Sequence, residues 1–139
     1  MIDTYRGSVF ASDCDEVGIM HVKNYVGKFE EATCQLIGSV GFTPQYLRDN
    51  NISVVSVEHH IKYINELLPK DLIVIKSQIL ELSRSSIKFF HRMTNVQTNM
   101  VAAEMVIVAV QINGSNRKSS KIPDAIANKI INHIAEHGQ

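Results

Sequence analysis

Cysteine is scarce in this chain: Cys14 and Cys34 are two residues among 139. One pair makes no disulfide framework, so the sequence reads as that of a protein at home in a reducing cytoplasm. Tryptophan is absent and there are only three prolines, so no Pro-rich linker divides the chain. Charge of either sign is not in surplus. Fourteen basic residues balance fourteen acidic ones, which removes the basic footprint expected of a protein that binds nucleic acid or an anionic membrane. The same balance gives little protection against self-association. No apolar run approaches the ~20 residues needed to cross a bilayer. The start, Met1-Ile2-Asp3-Thr4-Tyr5-Arg6, lacks the charged-then-apolar layout of a signal peptide. The six histidines are scattered apart from His59-His60, which on a strand point to opposite faces. No metal-ligand spacing is present, and no metal site is expected.

What is present fits one domain over residues 1–139, with an apolar fraction of 45%. Tyr5 to Ala11 reads as a short strand. From Asn24, a suitable N-cap, Tyr25, Phe29, Ala32, Leu36 and Val40 recur at helical steps, and Gly41 is placed to end the helix in the left-handed conformation. Phe42-Thr43-Pro44 then breaks away. Ile52 to Tyr63 alternates, which sets Val55, Val57, His59, Ile61 and Tyr63 on one face and Glu58, His60 and Lys62 on the other. Leu67 to Asp71 is a loop, Leu72 to Leu82 a strand, Ser83 to Ser86 a turn, and Ile87 to Asn95 another strand. Met100 to Asn113 is a long strand whose run from Met105 to Val110 is apolar on both faces, as in a strand buried on both sides or at a subunit interface. Pro123 suits the first turn of a closing helix carrying Ile126, Ile130, Ile131 and Ile134. Strand, long helix, four strands and a last helix make an α+β layout, one helix wrapped by one sheet.

The chemistry concentrates between Asp13 and Tyr25. Two acids end the first strand, a glycine follows, and the helix opens directly after. A carboxylate is thereby set beside the positive end of a helix dipole, where backbone N–H groups lack intrahelical partners. Such a pair can attack and polarise a carbonyl. The plainer reading, in which Asp13 and Asp15 only end a strand and cap a turn, holds for most Asp-x-Asp sequences. Asp13 lies close enough to raise the pKa of Asp15 while the helix terminus lowers it, and the residues alone leave that balance open. Cys14, between two carboxylates, is disfavoured as a thiolate and reads as a small packed thiol, and Cys34 as a packing residue.

Asp15-Glu16-Val17-Gly18-Ile19 followed by Asn24-Tyr25 resembles the hotdog-fold acyl-CoA thioesterases of the 4-hydroxybenzoyl-CoA thioesterase type. In that family an Asp-x-x-Gly-[Val/Ile] turn leads to an Asn-Tyr pair at the start of the central helix. Phe29-Glu30-Glu31-Ala32, Ile61-Lys62-Tyr63, Glu66 to Leu72 and Arg84-Ser85-Ser86 look like further family segments in the same order. The resemblance runs to about Ile126. In a subgroup whose turn reads Asp-x-x-Gly-His-Met-Asn-Val, the histidine is replaced here by Ile19 and the asparagine by His21.

The resemblance implies a hotdog fold, a curved antiparallel sheet wrapped around one long central helix, with a C-terminal helix. It implies an acyl-CoA thioesterase releasing a free acid and CoA without a cofactor. Asp15 would act as nucleophile or general base, Gly18 would let the backbone turn tightly, and a backbone N–H near Val22 would polarise the thioester carbonyl. His21 would donate to the carbonyl or to the leaving sulfur, or simply bind solvent. Asn24, Tyr25 and His59 are substrate-binding candidates, though a satisfied core histidine is the plainer reading of His59. Arg84, Ser85, Ser86, Lys88 and Lys118 are candidates for the phosphates of CoA; polar hairpins are rich in such residues in any case. The competing readings are an acyl-carrier-protein thioesterase and a non-catalytic acyl-CoA-binding or regulatory hotdog protein. A homodimer or homotetramer is expected, with neither nucleic acid nor membrane as a partner.

Overall fold

Apolar residues at steps of three and four wind residues Val22–Ser39 into an 18-residue helix, α1. One stripe of it (Tyr25, Phe29, Ala32 and Leu36) is buried. In the computed structural model, which describes residues 1–137, that stripe lies on a five-stranded antiparallel sheet. Gly138 and Gln139, the end of the expected 1–139 domain, lie outside the described residues. The strands are β1 (Ile2–Ser8), β2 (Ile52–Tyr63), β3 (Leu72–Leu82), β4 (Ser86–Asn95) and β5 (Val101–Asn113), in the spatial order β1-β3-β4-β5-β2. A short helix α2 (Pro44–Asp49) follows α1, and α3 (Asp124–His137) closes the chain. The arrangement is the α+β hotdog expected from the sequence.

Alternate strand residues meet α1. Ile73, Ile75 and Ile79 of β3, Phe89 and Met93 of β4, and Met105 and Ile107 of β5 are each at most 3% exposed. Across this core runs one polar chain. Thr33 of α1 contacts His91 Nε2 at 2.9 Å, His91 Nδ1 contacts Ser77 of β3, and Ser77 contacts Thr4 of β1 at 2.7 Å. Thr33 Oγ1 already donates to Phe29 O, so it accepts from His91, which fixes the ring proton on Nε2.

Several boundaries differ from the sequence reading, each for a local reason. β1 stops at Ser8, because the Phe10 N–H is taken by the Asp13 carboxylate at 2.9 Å and leaves the ladder. α1 begins two residues before Asn24 with His21 as its N-cap. Gly41, at φ +113°, ends α1 as expected. α2 is a helix of six residues, too short to show a period; Thr43 caps it by accepting from the Tyr46 N–H at 3.2 Å.

β2 is an edge strand, so His59 and His60 are not on a central one. A bulge between Ser56 and Glu58 inserts Val57, so Val55 shares a face with Glu58, His60 and Lys62, and His59 lies opposite it. In β5, Met105, Ile107 and Ala109 are buried, but Val106, Val108 and Val110 are only half-buried, since α1 covers one face of the sheet. Beyond Ile2↔Ser77, β3 has no strand on its β1 side among the described residues; there α3 covers it, and His133 Nε2 accepts the Ile79 N–H at 2.9 Å. Cys34, expected to pack, is exposed, and Cys14 is half-buried.

Candidate active site

The stretch between β1 and α1 is held as a small closed turn. Asp13 O accepts the His21 N–H at 2.8 Å and the Asn24 side-chain amide at 2.7 Å, Cys14 bridges Met20, and the Met20 N–H donates to Leu67 O at 2.9 Å. Asn24 therefore ties the turn to the helix. At the tip, the Gly18 N–H donates to Asp15 O at 3.0 Å, with Gly18 at φ +91°, a left-handed conformation that glycine adopts without strain. Asp15 Oδ1 accepts the Val17 N–H at 2.9 Å. Its second oxygen takes no protein partner among the described residues.

The adjoining helix start offers donors. His21 Nδ1 accepts the Lys23 N–H at 3.1 Å and His21 O accepts the Asn24 N–H at 2.9 Å. The Val22 N–H has no such acceptor among the described residues, and it sits at the positive end of the 18-residue dipole. Because Nδ1 accepts, the neutral His21 ring carries its proton on Nε2, and that edge of an exposed side chain remains free to donate.

Beside these groups lies a cavity of about 190 Å³ lined by Ile19, Met20, Val22, Tyr25, Tyr63 and the Ile64–Glu66 segment. The rings of Tyr25 and Tyr63 meet edge to face, 5.1 Å apart. Burial first, then Tyr63, Cys14 and Glu66, pushes the Tyr25 phenol up and keeps it neutral. A second hollow of about 280 Å³ continues past Asn65 and Glu66 toward Asn95 and Met100. Desolvation, then the carboxylates of Asp13, Asp15 and Asp71, raises the Cys14 thiol, so it is no nucleophile at neutral pH.

Asp15, Gly18, His21, Val22, Asn24 and Tyr25 are thus gathered at one end of the sheet. His59 lies four residues before Tyr63 on β2, exposed on its helix-side face. Arg84, Ser85, Ser86 and Lys88 belong to the β3–β4 hairpin, at the far end of an 11-residue strand that spans about 33 Å. Lys118, whose carbonyl accepts the Asn113 N–H at 2.9 Å, is at that far end too. One chain does not bring these to Asp15. Tyr63, Glu66 and the buried Lys28 stand at the site although the sequence reading gave them no part in it. The alternation ending at Tyr63, directly before a loop, and the family-like segment Ile61-Lys62-Tyr63 were the signals available for that residue.

A model of the Thioesterase-like superfamily matches residues 9–130. A protein from Aquifex aeolicus named "Putative esterase" is 33% identical over 85 residues, 61% of this chain and 66% of that protein. The alignment therefore spans just under two thirds of that relative's own length. "Acyl-CoA thioester hydrolase YbgC" from Escherichia coli is 23% identical over 103 residues, covering 73% of this chain and 77% of its own. Among solved structures, SAV2348 from Staphylococcus aureus, determined in complex with CoA, superposes with a TM-score of 0.89 at 20% identity, over 97% of this chain and 87% of that one.

Proposed function

The chain belongs to the Thioesterase-like superfamily, and from that premise we propose that it hydrolyses acyl-CoA thioesters to a free carboxylic acid and CoA. The observation that carries this reading is the pairing of a half-buried Asp15, one oxygen unpartnered, with the free N–H end of α1 beside an apolar cavity. Supporting it are the acyl-CoA activity in the name of YbgC and the CoA bound to the Staphylococcus aureus protein.

In the reaction the thioester carbonyl lies against the helix terminus, and the Val22 N–H stabilises the oxyanion as it forms. Asp15 either takes a proton from the attacking water or attacks the carbonyl carbon itself, giving an anhydride that water then opens. In both cases the C–S bond breaks and the sulfur leaves as the thiol of CoA. His21 Nε2–H is a further donor for that sulfur or for the carbonyl. The acyl group occupies the cavity bounded by Tyr25 and Tyr63.

The active unit in this reading is an oligomer. β2, twelve residues long, has no strand on its outer side among the described residues. Val22, Tyr63, Ile64, Leu68 and Met100 form an exposed apolar rim at the site. A second copy pairing antiparallel along β2 covers part of that rim. It also turns its own far end, with Arg84 to Ser86 and Lys118, toward this chain's Asp15, where the phosphates of CoA need cations. The test is thiol release from a panel of short, medium, long and aromatic acyl-CoAs. Turnover of at least one class is expected; binding without turnover across the panel identifies a non-catalytic acyl-CoA-binding protein instead.

A further inference from the structure

Lys28 is a buried charge for which the reaction above has no use. It is 8% exposed and lies in the second turn of α1. A cation there is disfavoured by loss of water. Its ammonium lies 3.5 Å from Asp13 Oδ2 and 3.4 Å from the Tyr5 hydroxyl, and 5.7 Å from the centre of the Tyr5 ring. Asp13 touches each part of the frame around Asp15. Its carboxylate accepts the Phe10 N–H, and its carbonyl accepts from His21 and Asn24 at the start of α1. The ionisable groups around it are Tyr5 from β1, Cys14 and Asp15 from the turn, His21 and Lys28 from α1, and Asp71 from the loop before β3. Three carboxylates, those of Asp13, Asp15 and Asp71, act on Cys14 at the centre of this group. Lys28 is the one cation paired with any of them among the described residues.

We propose that Lys28 is a positioning residue for Asp15. By compensating Asp13 it removes an unpaired like charge two residues from the reacting carboxylate. By joining α1 to the turn it keeps the Asp15 carboxylate and the Val22 N–H in fixed relation. The proposal rests on the reading of Asp15 as the reacting group.

Lys28→Met keeps the aliphatic stem and removes the charge. Expected are a 10- to 100-fold loss of kcat, a Kd for acyl-CoA within about threefold of wild type, and an acid limb of kcat/KM moved upward by about half a pH unit or more. Adding Asp13→Asn returns the limb to its wild-type position, and Lys28→Arg keeps it there. The same comparison, made by following the Asp15 carboxyl titration with carbon-13 NMR, needs no turnover. A wild-type protein inert toward thioesters would therefore sink the enzyme reading while leaving this one to be decided by the titration. An unchanged kcat and limb in Lys28→Met, with only the melting temperature lowered, overturns the proposal. So does a moved limb that Asp13→Asn fails to return. Should Lys28→Met not fold, Asp13→Asn alone serves: it leaves the ammonium unpaired, and the Asp15 titration must then move downward, with no movement overturning the proposal.

Discussion

His91 joins four elements: its ring contacts Thr33 on α1 and Ser77 on β3, Ser77 contacts Thr4 on β1, and the ring itself stands on β4. It is wholly buried between Phe29 and Phe89, and desolvation lowers its pKa to about 4. The unfolded chain, with a histidine near 6.5, binds the proton that the folded chain refuses between those two values. Stability from this group is therefore complete above pH 6.5 and is lost as the pH falls toward 4. Urea unfolding is expected to lose about 2 kcal/mol between pH 7 and pH 5 on this account, with His133, lowered chiefly by burial, adding in the same direction. His91→Leu is expected to flatten that slope at a cost of about 1–3 kcal/mol at pH 7, since the Thr33 and Ser77 hydroxyls each lose one hydrogen bond. An unflattened slope would show that His91 is not its source. At this scale the sequence was legible where a motif gave order, as with Asp15, Gly18 and the Asn24-Tyr25 pair. Lys28, His91 and Tyr63 were not, because their meaning lies in neighbours 14 to 58 residues away in the chain.

The elements explain which boundaries showed in the sequence. β2 and β3 were read to the residue, since alternation and flanking loop residues mark both ends. The bulge at Val57 was not, because one inserted residue changes no composition and only shifts the later side chains to the other face. The start of α1 was misplaced for a similar reason: Asn24 is the better capping residue by type, yet its amide holds Asp13 O, and His21 takes the cap. The end of α1 is more strictly determined. Gly41 has φ +113°, and a Cβ added there would lie 3.1 Å from Ile126 Cγ1 on α3. Gly41→Ala is accordingly expected to cost about 1–2 kcal/mol in thermal or urea unfolding. A cost near zero would mean that the joint between α1 and α3 gives way freely.

For the whole molecule, the proposed reaction divides the work between the two ends of the sheet. One end holds Asp15, the α1 terminus and the tyrosine-bounded cavity; the other holds the basic hairpin and Lys118. A linear reading placed all of them in one site because it has no measure of the strand between them. In the proposed oligomer, antiparallel pairing of two copies along β2 makes the two ends neighbours, and the half-buried face of Val106, Val108 and Val110 is a second surface for further assembly. Light scattering at micromolar concentration is expected to give a mass of two or four chains, and Val57→Lys on the β2 edge to weaken that association. A single-chain mass for the wild type would remove this arrangement.

The most direct measurement compares wild type with Asp15→Asn, reading thiol release and acyl-CoA binding on the same preparations. The account predicts that kcat falls by about 10²–10⁴ while Kd changes by less than about threefold. Turnover undiminished in Asp15→Asn would contradict it: the carboxylate at the helix terminus would then not be the group that drives the reaction.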